Sequence, residues 1–479
     1  LPLGFPRPAF EVWLPLPTLL AAIPMSLLGA TFAAAQWSSV LIGSLVPVLA
    51  WRLAADVAAE RDLPLGRART LALGTGLTTA LYLPLLLHSS LPDSTMPFAV
   101  LALAACLLMT RVARNPGDGR ATDRRVLLLG ILIGLAGLTR NEAVFIGLAW
   151  AIVAWSIHEL DRPRRVRLVA TVGLVAGMVF LPWAIRDWVA FGSPFPGQAV
   201  TNAFSVTGFD IFAWNDPPTL SRYLAVGPAR LVEMRVEGFG HNLLGVLLLP
   251  GLPVSLIGLI GLPWIYRGRA IRPVVVVALA TLAVTSLIFP VATTWGTFLH
   301  SAGPFHVLLV ISALLALDAA IARLGSRLGW TRPVAWLGAL LGAFGSILFS
   351  AALLPSFGAG SRTTAALYEE LAVRMMAAGH PLDAGGPVIT NFPIWLAETQ
   401  RISVLALPDE PPRDVLDLAS TFKARTVVLI NPEGVHWPAD LEAGASGSEC
   451  FRPIALGASS DPAAADPLAD VTVYEIACP

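Results

Sequence analysis

Apolar positions in this chain do not alternate with polar ones at the period of a half-buried helix or strand. They gather in nearly uncharged runs near 34–54, 70–88, 95–111, 126–139, 142–158, 166–185, 242–263, 272–292, 301–321 and 334–354. Most are about 15 to 25 residues long, which at 1.5 Å per residue matches a hydrocarbon layer of ~30 Å, so each is read as a membrane-spanning helix. Residues 126–158 would be one stretch but for Thr139-Arg140-Asn141-Glu142. A single helix there would be ~50 Å long, so the pattern predicts two short helices in a hairpin, with Arg140 and Glu142 at its tip.

The side of each loop follows from arginine. Short loops rich in positive charge stay in the cytoplasm. Arginines concentrate in 52–69, 111–125, 162–167, 267–272 and 323–332, and the short loops between these are nearly free of them. About ten spans then place both ends, and the Arg140–Glu142 tip, on the outer side. Residues 189–240 read as a long outer loop with short interfacial helices. After Pro355 the pattern becomes that of a water-soluble region, so 1–355 is expected to be the multi-pass membrane domain and 356–479 an extracytoplasmic domain. An amphipathic helix over 362–378, strands at 387–390, 426–430 and 471–476 and a helix over 414–422 predict a small α/β fold for the tail. Ala-, Ser- and Gly-rich 443–448 and 457–468 read as surface loops, and no internal repeat of the transporter kind is visible.

Composition sharpens this picture. The 479 residues are 55% hydrophobic and 13% charged, with mean hydropathy +0.70, against roughly a quarter charged residues in soluble proteins. Net charge is zero, which argues for no nucleic-acid partner, and Lys423 is the single lysine. The chain opens at Leu1 with no secretory-type leader and reads as starting within a longer protein. Of the three cysteines, Cys106 lies in an apolar run and Cys450 and Cys478 in the tail. Outside the cytoplasm thiols oxidise, and if the segments beginning at Cys450 and ending at Cys478 are antiparallel neighbours, a disulfide joins them, leaving Cys106 free.

Ionisable groups at membrane depth are costly and default to functional hypotheses. Asp93 either caps the helix that follows it or serves a metal ion or acceptor. Arg140 and Glu142 either pair with each other or contact a phosphate. Arg186 either anchors the interface beside Trp183 and Trp188 or binds phosphate. His300 and His306, six positions apart, do not share the face of an i,i+4 metal pair, which leaves His300 as an interfacial residue or a substrate contact. His88 is a weaker candidate. Asp318 is expected to pair with Arg323 or Arg327 on the cytoplasmic side. Gly-rich phosphate loops, Cys-x-x-Cys and Ser-His-Asp patterns are not evident.

Four segments carry a likeness to a known group: Phe10-Glu11-Val12-Trp13-Leu14-Pro15-Leu16-Pro17, His88-Ser89-Ser90-Leu91-Pro92-Asp93, Leu138-Thr139-Arg140-Asn141-Glu142-Ala143, and Pro182-Trp183-Ala184-Ile185-Arg186 with Phe191-Gly192-Ser193-Pro194-Phe195-Pro196. In order and placement they resemble the GT-C superfamily of polytopic membrane glycosyltransferases, of the protein mannosyltransferase and aminoarabinose transferase type. The resemblance implies an α-helical polytopic fold in the cytoplasmic membrane, contact with membrane lipid, and a polyprenyl-phosphate sugar donor. It also implies transfer of the sugar to an acceptor at the outer face. It casts Asp93 and Glu142 as catalytic carboxylates, Asp93 also as ligand of a divalent metal (Mg or Mn), and Arg140, Arg186 and His300 as substrate contacts. The family's catalytic aspartate lies in the first outer loop, where Glu11 is the acidic residue in this sequence and a preceding helix is missing. A transporter or flippase for polyprenyl-linked lipids and a non-catalytic relative are the competing readings.

Overall fold

The computed structural model describes residues 13–117, 119–196, 201–211, 217–330, 334–384, 386–431, 436–457 and 466–478. Glu11, with Phe10 and Val12, and much of the expected 457–468 loop lie outside the described residues. The chain divides into two compact units, one holding 354–479 with 205–223, the other the remaining helices up to 353.

The helical unit opens with α1 (Pro15–Leu28), which the apolar pattern did not single out, and continues through α2 (Phe32–Gly43), α3 (Leu45–Glu60), α4 (Leu65–Leu81), α5 (Leu83–Ser89), α6 (Thr95–Arg114), α7 (Gly119–Gly137), α8 (Ala143–Trp155) and α9 (Arg162–Phe191). After short 3₁₀ turns come α10 (Leu220–Ala225) and α11 (Gly227–Gly240). The latter runs into a π-helical stretch, His241–Leu248, ahead of α12 (Val254–Gly261). The rest are α13 (Arg272–Leu287), α14 (Pro290–Thr294), α15 (Gly303–Arg327) and the start of α16 (Ala335–Ala377).

Every expected apolar run falls on one or two of these helices, but length treats them unequally. Among the described residues five helices are long and apolar enough to cross a bilayer alone: Phe32–Glu60, Thr95–Arg114, Arg162–Phe191, Gly303–Arg327 and Ala335–Ala377. The run 70–88 is a bent pair, α4 and α5, meeting at 58°. Runs 142–158, 242–263 and 272–292 give helices too short or too interrupted to do so singly.

The expected hairpin break is present. Arg140 N donates to Ala136 O at 2.8 Å, ending α7, and Ala143 N to Arg140 O at 3.2 Å, opening α8. A contiguous core of α3, α4, α6–α8, α13 and α15 buries Phe98, Leu103, Leu129, Ile146 and Trp150. By contrast α9 buries only Val172, Val175 and Asp187 and exposes Leu174, Met178, Leu181 and Ile185, an apolar outer surface that suits lipid.

At the basic end, Asp318 pairs with Arg67 of α4 (Nη2–Oδ2 2.7 Å, with Nε 2.9 Å from each carboxylate oxygen) and not with Arg323 or Arg327. On a helix only residues three or four apart share a face. Arg323 and Arg327, five and nine positions on, are turned away.

In the other unit, Pro355 does not end a helix: α16 passes through it to Ala377 and absorbs the helix expected over 362–378. Five strands follow, β1 (Val388–Thr390), β2 (Val404–Ala406), β3 (Thr426–Ile430), β4 (Phe451–Pro453) and β5 (Val471–Ile476), in the order β2-β1-β3-β5-β4. The β1 strand is parallel to β2 and β3, through crossover helices α17 (Pro393–Gln400) and α18 (Pro412–Phe422), while β5 is antiparallel to β3 and β4. The short strand β2 had no sequence signal of its own, while β4 is the segment beginning at Cys450 that was expected to pair antiparallel with β5. Phe451 faces Ile476 in register, which brings Cys450 and Cys478 together in a disulfide, with Cα atoms 5.0 Å apart. Cys106 is free and buried.

Candidate functional site

The site is built at the head of α6. Pro84, in the first turn of α5, and the bend after Tyr82 turn the chain so that α5 ends at Ser89 and a short loop carries Asp93. One oxygen of Asp93 does what a residue ahead of a helix commonly does: Oδ1 accepts a hydrogen bond from Thr95 N at 2.8 Å. The other, Oδ2, lies 3.2 Å from His88 Nδ1 and 3.2 Å from His300 Nδ1. Capping and cluster formation are therefore both served by one carboxylate.

His300 arrives from far along the chain. Gly296, at φ +109°, turns the backbone just before it, and a Cβ there would meet the His300 ring at 3.2 Å. Gly303 lets α15 approach α6 so closely that a Cβ would sit 2.5 Å from that of Ala99. His300 Nδ1 is also 2.9 Å from Thr95 Oγ1, and the two imidazoles stand edge to face at 5.8 Å. Burial pushes the Asp93 carboxyl up, but hydrogen bonds and charge from His300 and then His88 outweigh this and hold it well below the usual carboxylate range.

Arg140 closes the other side. Its Nη2 and Nε bind Glu142 at 2.8 and 3.2 Å, Nη1 donates to Ser94 Oγ at 2.8 Å, and Nη2 donates to Thr297 O at 3.1 Å. The Arg140 and Glu142 side chains are 11% and 9% exposed, so this is a buried pair. It ties the α7–α8 turn both to the residue after Asp93 and to the segment leading to His300. Of the five guanidinium N–H groups, these contacts among the described residues leave one on Nη1 for a ligand.

Arg186 is different. It pairs with its buried neighbour Asp187 at 2.8 Å and lies over the rings of Trp183 and Phe191, at 4.8 and 5.1 Å. His306 is 2% exposed and packs edge-on against Tyr82.

Sequence reasoning treated His88 as weak and His300 as a substrate contact, and did not join them to Asp93. The available signal was scarcity: the chain has seven histidines, and these two fall at ends of apolar runs.

His88, Asp93 and His300 each offer one ligand atom, all within 4.8 Å of one another. At metal–ligand bonds of ~2.1 Å such spacings are compatible with a shared ion. Two imidazoles and one carboxylate suit Mn²⁺, Zn²⁺ or Fe²⁺ better than Mg²⁺, which prefers oxygen ligands and keeps its waters. Of the two metals expected, this donor set favours Mn.

No protein-family model matches the sequence, and no curated protein matches it. Solved structures do. The crystal structure of ArnT from Cupriavidus metallidurans bound to undecaprenyl phosphate aligns with a TM-score of 0.57 at 14% identity, over 97% of this chain and 88% of that one. The archaeal oligosaccharyltransferase AglB from Archaeoglobus fulgidus, in complex with an inhibitory peptide and a dolichol-phosphate, aligns with a TM-score of 0.50 at 13% identity, over 90% of this chain and 63% of that one. These likenesses carry the fold: the chain is an α-helical, multi-pass membrane protein that shares the architecture of these two structures, with a small C-terminal sheet region.

Proposed function

We propose that this protein transfers a sugar from a polyprenyl-phosphate-linked donor to an acceptor at the outer face of the cytoplasmic membrane. The observation that carries the reading is the meeting of Asp93, His88 and His300 with the Arg140–Glu142 pair, side chains from segments up to 212 positions apart. The fold is consistent with it: ArnT was crystallised with undecaprenyl phosphate and AglB with a dolichol-phosphate. The tail disulfide and the arginine alternation support placing 356–479 outside the cytoplasm.

In this reading His88, Asp93 and His300 hold a divalent cation, which when bound supplies positive charge to a leaving phosphate. Arg140 is chiefly a positioning residue. Four of its N–H groups hold Glu142, Ser94 and Thr297, and the fifth points at most one hydrogen bond toward phosphate. Glu142 uses both oxygens on Arg140 and so keeps the guanidinium oriented. Asp93, whose Oδ2 faces both imidazoles at 3.2 Å, is the carboxylate of the cluster.

The test uses full-length protein in nanodiscs. Metal content is measured after dialysis against Mn²⁺ or Zn²⁺, and label is followed from a panel of polyprenyl-phosphate radiolabelled sugars into the lipid-free fraction. Near one equivalent of metal and turnover of one donor are expected, with Asp93→Asn and His300→Ala losing both, turnover by on the order of 100-fold or more. Failure of every donor, together with no binding of undecaprenyl phosphate by native mass spectrometry, would overturn the proposal.

A further inference from the structure

At the arginine-bearing end of the helical unit, α8 and α9 diverge and leave an open groove of about 760 Å³, a size in the ~300–1,000 Å³ range of ligand clefts. Its walls are Ala151, Ile152 and Trp155 of α8 and Val166, Val169 and Ala170 of α9. His158 borders it from the turn between them. The turn is held open by Arg165, which donates to the carbonyl oxygens of Leu160, Trp155 and His158 at 2.9, 3.1 and 3.3 Å. The groove is therefore preformed and apolar, its turn fixed by the Arg165 side chain without use of the other arginines of the loop.

Those other arginines differ by helical position. Arg162 lies one turn before Val166 on the face that lines the groove, and Arg167 is on its flank. Arg164 projects from the opposite face. Among the described residues no ion pair engages Arg162 or Arg167, and Arg162, Arg164 and Arg167 are exposed. Four arginines of the other basic loops are instead held by the protein itself: Arg52 and Arg114 by Asp56, Arg67 by Asp318, Arg61 by Trp264 O. An apolar slot with unpaired guanidinium groups at its mouth has the charge and shape of a site for one kind of occupant, an anionic lipid. Basic pockets between transmembrane helices recognise phosphate headgroups in this way, and arginine suits phosphate by its planar fork.

We infer that the α8–α9 groove holds an anionic phospholipid, its acyl chain along Ile152, Val166 and Val169 and its phosphate on Arg162 and Arg167. The site is separate from the Asp93 cluster and does not rest on the proposed reaction.

The experiment is native mass spectrometry of the detergent-purified full chain titrated with equal amounts of phosphatidylglycerol and phosphatidylcholine. Wild-type protein should retain phosphatidylglycerol preferentially. Arg162→Gln with Arg167→Gln should lower that preference on the order of tenfold or more, and Ala170→Trp, which fills the groove without altering charge, should lower it as well. Arg164→Gln with Arg323→Gln, the same charge change placed elsewhere at the basic end, should leave it intact. Three results would each overturn the inference: no preference in the wild type, equal loss in the Arg164/Arg323 variant, or full retention in Ala170→Trp. Intact thermal unfolding profiles distinguish loss of the site from loss of the fold.

Discussion

Replacing Arg140 by alanine removes the cation paired with Glu142, whose side chain is 9% exposed. Breaking a buried pair in this way costs ~3–5 kcal/mol, because the remaining charge is stranded in a medium that solvates it poorly. Glu142→Ala strands Arg140 in turn, although Ser94 Oγ and Thr297 O still hold it, at 2.8 and 3.1 Å. The double variant has no stranded charge. It loses the two bonds to Ser94 and Thr297, both half-buried and reachable by water, for a cost of ~1–3 kcal/mol. The double variant should therefore be less destabilised than the sum of the singles, with a coupling of roughly 2 kcal/mol, inside the ~0.5–3 kcal/mol found for contacting residues. The assay is unfolding in mixed micelles by SDS titration, followed by tryptophan fluorescence. Coupling below ~0.5 kcal/mol would refute the view that this pair is the lock between the α7–α8 turn, the head of α6 and the approach to His300.

Two further outcomes follow from the tail and the basic loops. Serine at both Cys450 and Cys478 opens a loop of separation 28 and should cost the tail on the order of 3 kcal/mol; faster proteolysis of the 356–479 region in intact protein is the readout, and unchanged rates would reject it. For sidedness, Gly117→Cys should react only with membrane-permeant maleimides and Ala443→Cys with impermeant ones, against a silent background because Cys106 is fully buried. Equal labelling of both from outside would reject the assignment.

Much of the helical frame could be read along the chain because lipid imposes local conditions. An apolar run must be long enough to cross, and arginines collect at one end of it, so the positions of the runs needed no tertiary information. The break at Thr139–Glu142 was legible for the same reason, since four polar residues interrupt an otherwise continuous run. The Cys450–Cys478 pairing was legible because only two cysteines lie in the tail and each adjoins a strand-like segment. What composition could not show was where helices stop mattering as single spans. The change of pattern after Pro355 set the expected helix over 362–378 apart from the run 334–354, yet α16 continues through Pro355 and carries both.

The candidate site divides in the same way. Asp93, Arg140 and Glu142 announced themselves singly, as charges where charge is expensive. Their partners did not. His88 and His300 meet at Asp93 Oδ2 only because Gly303 lets α15 close on α6 and Gly296 turns the chain ahead of the ring. Asp318 found Arg67 across 251 positions rather than an arginine on its own helix. A sequence records which residues carry cost at membrane depth, since that cost is set by solvent and acts on each residue where it stands. Which of them relieve one another is set by helix packing, through contacts between residues hundreds of positions apart, and that is decided only in three dimensions.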